Sequence, residues 1–379
     1  MSSSYRLAER LLKTADIEVN GERPWDMKLH SDRALAQAMA RGNLGLGEAY
    51  MDREWDCDAL DEFFFRLLRN DVHEQVSPGR LLWHTLKNRW FNLQSRKRAW
   101  QVGQAHYDLG NSFYQAMLDS RLTYTCGFWQ QASNLEEAQK DKLELTCRKL
   151  ELQPGMKVLD IGCGWGSFMR YAAEHYGVEC VGITISKQQA ALARELCADY
   201  PIEIHEQDYR SLDVKADRVV SLGMFEHVGP KNHRTFFDVV HRCLRADGLA
   251  LLHTIGRNRA NTMPDPFIAK YIFPNGELPA LQQISRAAEG LFVVEDLHNF
   301  GADYDRTLMA WHKNFENHWH QFKDEYGDRF YRMWRYYLLS CAGAFRARDI
   351  QLWQWVLSPQ GKIGGYQRPN LDSGSVDSF

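Results

Sequence analysis

The stretch VLDIGCGWG, Val158 to Gly166, constrains the fold more than any other part of the chain. An apolar, β-branched run enters three glycines at alternate positions, the pattern of a buried strand that turns tightly into a helix and leaves its backbone open to a ligand. Gly162, Gly164 and Gly166 have no Cβ to obstruct that approach. Dinucleotide enzymes and purely structural turns also use GxGxG, so the neighbouring residues decide what binds.

Asp160 places a carboxylate at the end of this strand, where it suits the cationic end of a sulfonium amino acid and would repel a pyrophosphate. The next strand ends in VGITIS, without the acidic residue that holds a ribose in a dinucleotide site. Thr184 and Gln189 are expected to bond the ribose or amino-acid moiety instead. After the third strand, QDYRSL offers Asp208 and Tyr209 to an adenine amino group and ring face. Together these residues predict an S-adenosylmethionine site.

From Pro154 onward, short strand-like runs alternate with helical stretches. Strands are predicted at Lys157–Ile161, Glu179–Thr184, Ile202–Glu206, Arg218–Leu222, Leu249–Thr254 and Phe292–His298, with helical periodicity over Ser186–Leu196 and Lys231–Leu244. Two longer helices follow, Asp305–Phe322 and Asp328–Ala347. Regular alternation implies a mostly parallel sheet covered on both faces, with ligands at the carboxyl ends of its strands. The fold class is therefore α/β, a Rossmann-like class I methyltransferase domain with a smaller N-terminal α+β domain. Residues 1–75 form that N-terminal module, 76–100 a linker, 101–358 the catalytic domain and 359–379 a disordered tail rich in Gly, Ser, Asn and Pro.

The linker, within SPGRLLWHTLKNRWFNLQSRKRAW, interleaves Lys87, Arg89, Arg96, Lys97 and Arg98 with Trp83, Trp90, Phe91 and Trp100 and carries no acidic residue. It reads either as an interfacial segment drawn to anionic headgroups or as a solvated linker packing its tryptophans on the next domain. No apolar run approaches the roughly 20 residues that span a bilayer, and no signal peptide is expected, so any membrane contact is peripheral. A net charge of −3 gives no general pull toward nucleic acid, and none is expected as a partner. Eight scattered cysteines without a CxxC pair suggest a reduced, cytoplasmic protein, and no metal is expected.

Polar groups gather where the predicted strands end. SLGMFEHVGP supplies Glu226 and His227, LLHTIG supplies His253, HNFGADYDRTL supplies Tyr304, and the upstream HYDLGN and TYTCGFW supply His106, Tyr124 and Cys126. Each has an ordinary structural reading, but together at the strand ends of a cofactor fold they point to a reacting pocket.

These motifs, with LQPGMKVLDIGCGWG, VGITIS, IFPNG and CAGAFRARDIQLWQ, resemble the cyclopropane-fatty-acyl-phospholipid synthase family and the related mycolic acid cyclopropane synthases, from about Tyr5 to Leu357. The GNLGLGEAYM module is similar to the bacterial, phospholipid-acting branch. The resemblance implies methylene addition from S-adenosylmethionine to a cis double bond of unsaturated phospholipid acyl chains at the inner membrane surface, by a homodimer. It implies cofactor contacts from Tyr124 and Thr125, and a bicarbonate base held by Glu226, His253, Tyr304 and the backbone near Cys126 and Leu222.

The residue types suit that chemistry. Aromatic faces such as Tyr124, Phe225 and Tyr304 can stabilise a cation left on the chain after methyl transfer. A methyl-branched, methylene or hydroxylated product would need the same residues with a differently placed base. Cys341 matches a cysteine considered catalytic in the family, although its apolar helical setting, LLSCAGAF, favours a protonated, structural thiol. The chain departs from the family's YSCAYW at Thr125, Gly127 and Phe128.

Overall fold

The computed structural model describes residues 3–71, 109–260 and 264–371. The basic aromatic linker and His106 lie outside the described residues. Two compact units are built from non-contiguous segments, where the sequence suggested a linear division.

One unit gathers the described residues of Met1–Leu118, Ile255–Leu281 and Gly301–Leu352. Strands β1 (Lys28–Leu29) and β2 (Trp55–Asp56) form an antiparallel ribbon accompanied by the helices Ser3–Thr14, Arg33–Arg41, Asn43–Met51 and Leu60–Arg69. Polar contacts bind the segment 255–281 to these helices. Glu48 accepts hydrogen bonds from Lys270 at 2.6 Å and Tyr271 at 3.0 Å and pairs with Arg41, while Asn43 donates to Asp265 at 2.8 Å. Burial alone would raise the Glu48 pKa, but these donors outweigh it and hold the carboxyl at about 2.

The long helix Lys323–Arg346 bends at Gly327, whose φ of 71° suits glycine, and then packs on Leu60–Arg69. Gly343 allows the contact, because a Cβ there would lie 2.6 Å from the Asp61 carbonyl oxygen. At its end Arg346 pairs with Asp61 at 2.7 Å and Asp305 at 2.9 Å.

The other unit comprises Asp119–Thr254, Gln282–Phe300 and Trp353–Phe379 as far as described. Its strands are β3 (Lys157–Ile161), β4 (Glu179–Thr184), β5 (Ile202–Glu206), β6 (Ala216–Leu222), β7 (Leu244–Arg257), β8 (Val293–Asn299) and β9 (Ile350–Ser358), and β7 and β9 run past its boundary. They lie in the order β5-β4-β3-β6-β7-β9-β8. β3 to β7 are joined by parallel pairings and β8 runs antiparallel to β9, the topology of the Rossmann-like class I methyltransferase fold. The strand order reverses between β3 and β6, which places the ligand crevice at their carboxyl ends.

β9 has no counterpart among the predicted strands. Every residue of IQLWQWVLS is buried, so it lacks the alternation that marks a half-exposed strand. The tail from Pro359, expected to be disordered, makes definite contacts in its described part as far as Asn370, whose carbonyl accepts from Arg148 at 3.1 Å. The Tyr366 hydroxyl donates to the Lys149 carbonyl at 3.0 Å, and the Arg368 guanidinium forks onto Asp296 at 2.5 and 2.8 Å. No helix among the described residues is long and apolar enough to cross a membrane.

Candidate functional site

The glycine turn after β3 takes left-handed angles, with φ of 90° at Gly162, 55° at Gly164 and 80° at Gly166. A Cβ on Gly162 would lie 2.7 Å from the Met224 Cβ, so the absent side chain lets the turns after β3 and β6 meet. At Gly164 a Cβ would find nothing within 4 Å, and this is the open side of the turn.

Asp160, on β3, is buried, and its Oδ1 has no hydrogen-bond partner. Burial raises its pKa to about 7 against the opposing pull of Lys142. A buried carboxylate with one oxygen lacking a donor, beside an open glycine turn, fits the ammonium of a sulfonium amino acid. The flanking residues are preset. Thr184 donates to Gln189 Oε1 at 3.0 Å, and Ser186 caps the helix Lys187–Leu196 by accepting from the Gln189 amide. Asp208 accepts a fork from Arg210 at 2.6 and 2.8 Å, which fixes its carboxylate, and the Arg210 guanidinium lies 5.4 Å from the Tyr209 ring centroid.

The candidate reacting residues of this unit lie at the adjoining strand ends. Leu222 and His253 are register partners on β6 and β7, and the Gly223 amide donates to the His253 carbonyl at 2.9 Å. A Cβ on Gly223 would lie 2.8 Å from Thr125 Cγ2, so the TYTC segment packs directly on this turn. Gln139 holds that segment by donating to the Thr125 carbonyl at 2.7 Å, and Lys142 donates to the Thr125 hydroxyl at 2.8 Å. Cys126 is wholly buried, with its thiol directed to the Gly127 carbonyl at 3.1 Å. Tyr124 is half-buried on the same segment. Glu226, in a short turn of helix just beyond Gly223, is buried.

His253 is 1% exposed, and its Nε2 has no hydrogen-bond partner. Burial, reinforced by Lys142 and Lys149, holds its pKa well below the usual histidine range, so the ring is neutral. Phe300 lies 5.8 Å from the ring and Phe128 lies 5.4 Å from Phe300, giving the site an aromatic wall. A neutral histidine with one buried unused nitrogen fits a small anion if that nitrogen carries the proton.

Tyr304 and Cys341 belong to the other unit. Tyr304 is buried on the helix Ala302–His318, its ring stacked on Phe345 at 4.5 Å. Cys341 is half-buried in the helix Lys323–Arg346, and burial pushes its thiol up to about 12, the condition of an inert cysteine.

Sequence reasoning missed Gln139, Lys142, Lys149 and Gln354. The helix Leu135–Lys149 buries Leu135, Ala138, Gln139, Lys142, Thr146 and Lys149 along one stripe, so both lysines stand where helical periodicity requires an apolar residue. That misplacement was a readable signal.

The Mycolic acid cyclopropane synthetase family model matches residues 94–355. The chain is 51% identical over 361 residues, 93% of its own length and 93% of the relative's, to the cyclopropane-fatty-acyl-phospholipid synthase of Escherichia coli (strain K12). It is 38% identical over 273 residues, 67% of its length and 95% of the relative's, to cyclopropane mycolic acid synthase 3 of Mycobacterium tuberculosis (strain ATCC 25618 / H37Rv). Among solved structures it is similar to mycolic acid cyclopropane synthase CmaA1 complexed with SAH and CTAB. That likeness has a TM-score of 0.64 at 34% identity and covers 68% of this chain and 97% of that one.

Proposed function

The chain is an S-adenosylmethionine-dependent methyltransferase belonging to the mycolic acid cyclopropane synthetase family, and on that premise we propose that it converts cis double bonds in unsaturated phospholipid acyl chains to cyclopropanes. S-adenosylmethionine supplies an electrophilic methyl group on sulfonium. Asp160 holds the amino-acid end of the cosubstrate, and the glycine turn admits it closely. Thr184, Gln189, Asp208 and Tyr209 bind its ribose, amino-acid and adenine parts, with Tyr124 and Thr125 closing over it.

An isolated alkene is a weak nucleophile, so the residues must hold it in line with the methyl and exclude water. Phe128 and Phe300 contribute to that exclusion, and aromatic faces can stabilise the positive charge on the chain after transfer. Cyclisation requires a proton to leave the new methyl carbon. A bicarbonate ion held by Glu226, His253 and the backbone at Cys126 and Leu222 would supply the base there, and Tyr304 joins this set on the family resemblance alone. The observation that supports an anion here is the buried, unused Nε2 of neutral His253. Glu226 is compatible with it by accepting the proton of the anion's hydroxyl.

Peripheral association with the inner membrane surface, through the basic aromatic stretch 76–100, and a homodimeric state complete the proposal. Incubation with methyl-labelled S-adenosylmethionine and vesicles of unsaturated phospholipid, followed by mass spectrometry of the acyl chains, tests it. Cyclopropane chains are expected; methyl-branched chains, or no turnover, would overturn it.

A further inference from the structure

The tautomer of His253 decides whether its unused nitrogen is a donor or an acceptor, and a chain of contacts, buried from Lys149 inward, determines it. Arg368 forks onto Asp296, whose Oδ2 lies 4.0 Å from the ammonium of Lys149. Lys149 donates to Gln354 Oε1 at 2.8 Å and to His298 Nδ1 at 2.9 Å. In its charged form Lys149 has only donors, so the Gln354 carbonyl faces it. The Gln354 amide nitrogen is thereby directed to Thr146 Oγ1 at 3.3 Å and His253 Nδ1 at 3.2 Å. Thr146 imposes the same orientation independently. Its hydroxyl proton is spent on the Lys142 carbonyl at 2.7 Å, so toward Gln354 it can only accept.

We propose that Lys149 and Gln354 are positioning residues that lock His253 as the Nε2–H tautomer, making it a fixed hydrogen-bond donor and never the base. With an amide N–H already aimed at Nδ1, that atom must be a lone pair, and the single imidazole proton sits on Nε2. A second proton on Nδ1 would oppose two N–H groups in a buried site. The proton lost during cyclisation therefore leaves by another group, and His253 contributes only a hydrogen bond. This inference rests on the proposed reaction for its consequence but not for its geometry.

The test reads the tautomer directly. Full-length protein labelled with 15N in its imidazoles gives long-range 1H–15N correlations that separate the two neutral tautomers and the imidazolium. His253, among 14 histidines, is assigned by the signals lost in His253→Asn. The wild type should show neutral Nε2–H between pH 6 and 8. In Gln354→Glu, a carboxylate faces Nδ1, so the ring should become Nδ1–H or imidazolium. kcat should fall at least tenfold, with KM for S-adenosylmethionine within about twofold.

Nδ1–H or imidazolium in the wild type would overturn the proposal, as would an unchanged tautomer in folded Gln354→Glu. If that variant does not fold, the wild-type spectrum still decides. The expected tautomer in an enzyme that makes no cyclopropane would refute the proposed reaction and leave this assignment standing.

Discussion

With Asp160 as the proposed partner of the cosubstrate's ammonium, cofactor affinity should depend on pH in a way that can be worked out in advance. Its carboxyl is buried without a hydrogen bond to Oδ1, and burial raises its pKa from 3.8 to about 7 despite Lys142. Between these two values the folded protein binds a proton that the unfolded chain has released, so stability falls as pH rises from about 4 to 7. The penalty above pH 7 is on the order of 4 kcal/mol at most, at about 1.4 kcal/mol per pH unit. A bound ammonium would relieve it by pairing with the carboxylate.

If only the ionised form binds, affinity for S-adenosylmethionine at pH 6 should be about tenfold weaker than at pH 8. Above about pH 8 the ligand's own α-amino group begins to lose its charge, so affinity peaks between the two limbs. Asp160→Asn should abolish the acidic limb and weaken binding at pH 8. In the same variant, melting of the ligand-free protein should move up by several degrees at pH 8 and little at pH 5. Isothermal titration calorimetry and thermal melts across pH 5 to 8.5 measure both effects. An acidic limb of equal size in Asp160→Asn, or a wild-type affinity flat from pH 6 to 8, would refute the reasoning.

Glu226→Gln should slow turnover by at least 100-fold while leaving S-adenosylmethionine affinity within about twofold, because it changes the reacting end and not the nucleotide pocket; equal losses in calorimetry and steady-state kinetics would contradict that division. Gly343→Ala should destabilise the protein by about 1–3 kcal/mol, since its Cβ would press on the Asp61 carbonyl between two packed helices, and denaturant melts that match the wild type would show the contact to be loose. Replacing Arg96, Lys97 and Arg98 with glutamine should weaken binding to anionic vesicles by about 3 kcal/mol at low salt, and flotation assays at rising ionic strength should show the difference shrinking.

The cofactor half of the fold was legible because its strands carry local signals. β3, β4 and β5 fall on the predicted residues, each a short β-branched run closed by a turn or a capped helix. β9 was illegible for the opposite reason: it is buried along its whole length, and Gln351 and Gln354 interrupt what would otherwise read as a continuous apolar strand. The grouping of segments into units also left no local trace. That the helix Lys323–Arg346 rests on Leu60–Arg69 depends on one absent side chain, at Gly343, and on ion pairs from Arg346 to Asp61 and Glu62, far away in the sequence.

The candidate site divides along the same line. Asp160, Glu226 and His253 announce themselves because they sit at the ends of predicted strands, where polar residues have no packing role. Lys142 and Lys149 support them from the apolar stripe of a helix, and their chemistry follows from that burial. Desolvation lowers Lys142 to about 8 and Lys149 to about 7, even with acidic neighbours opposing the shift. Each is kept by directional acceptors, Thr125 for the first and Gln354 and His298 for the second. A methionine in either position would preserve the packing and remove the donor. Lys149→Met should therefore leave the fold intact and remove the donor facing the Gln354 carbonyl, with Thr146 left alone to keep the Gln354 amide on His253 as an Nε2–H ring. A lysine on an apolar stripe is thus a sequence-level mark of a supporting polar network, and it was the mark that reading by strand ends passed over.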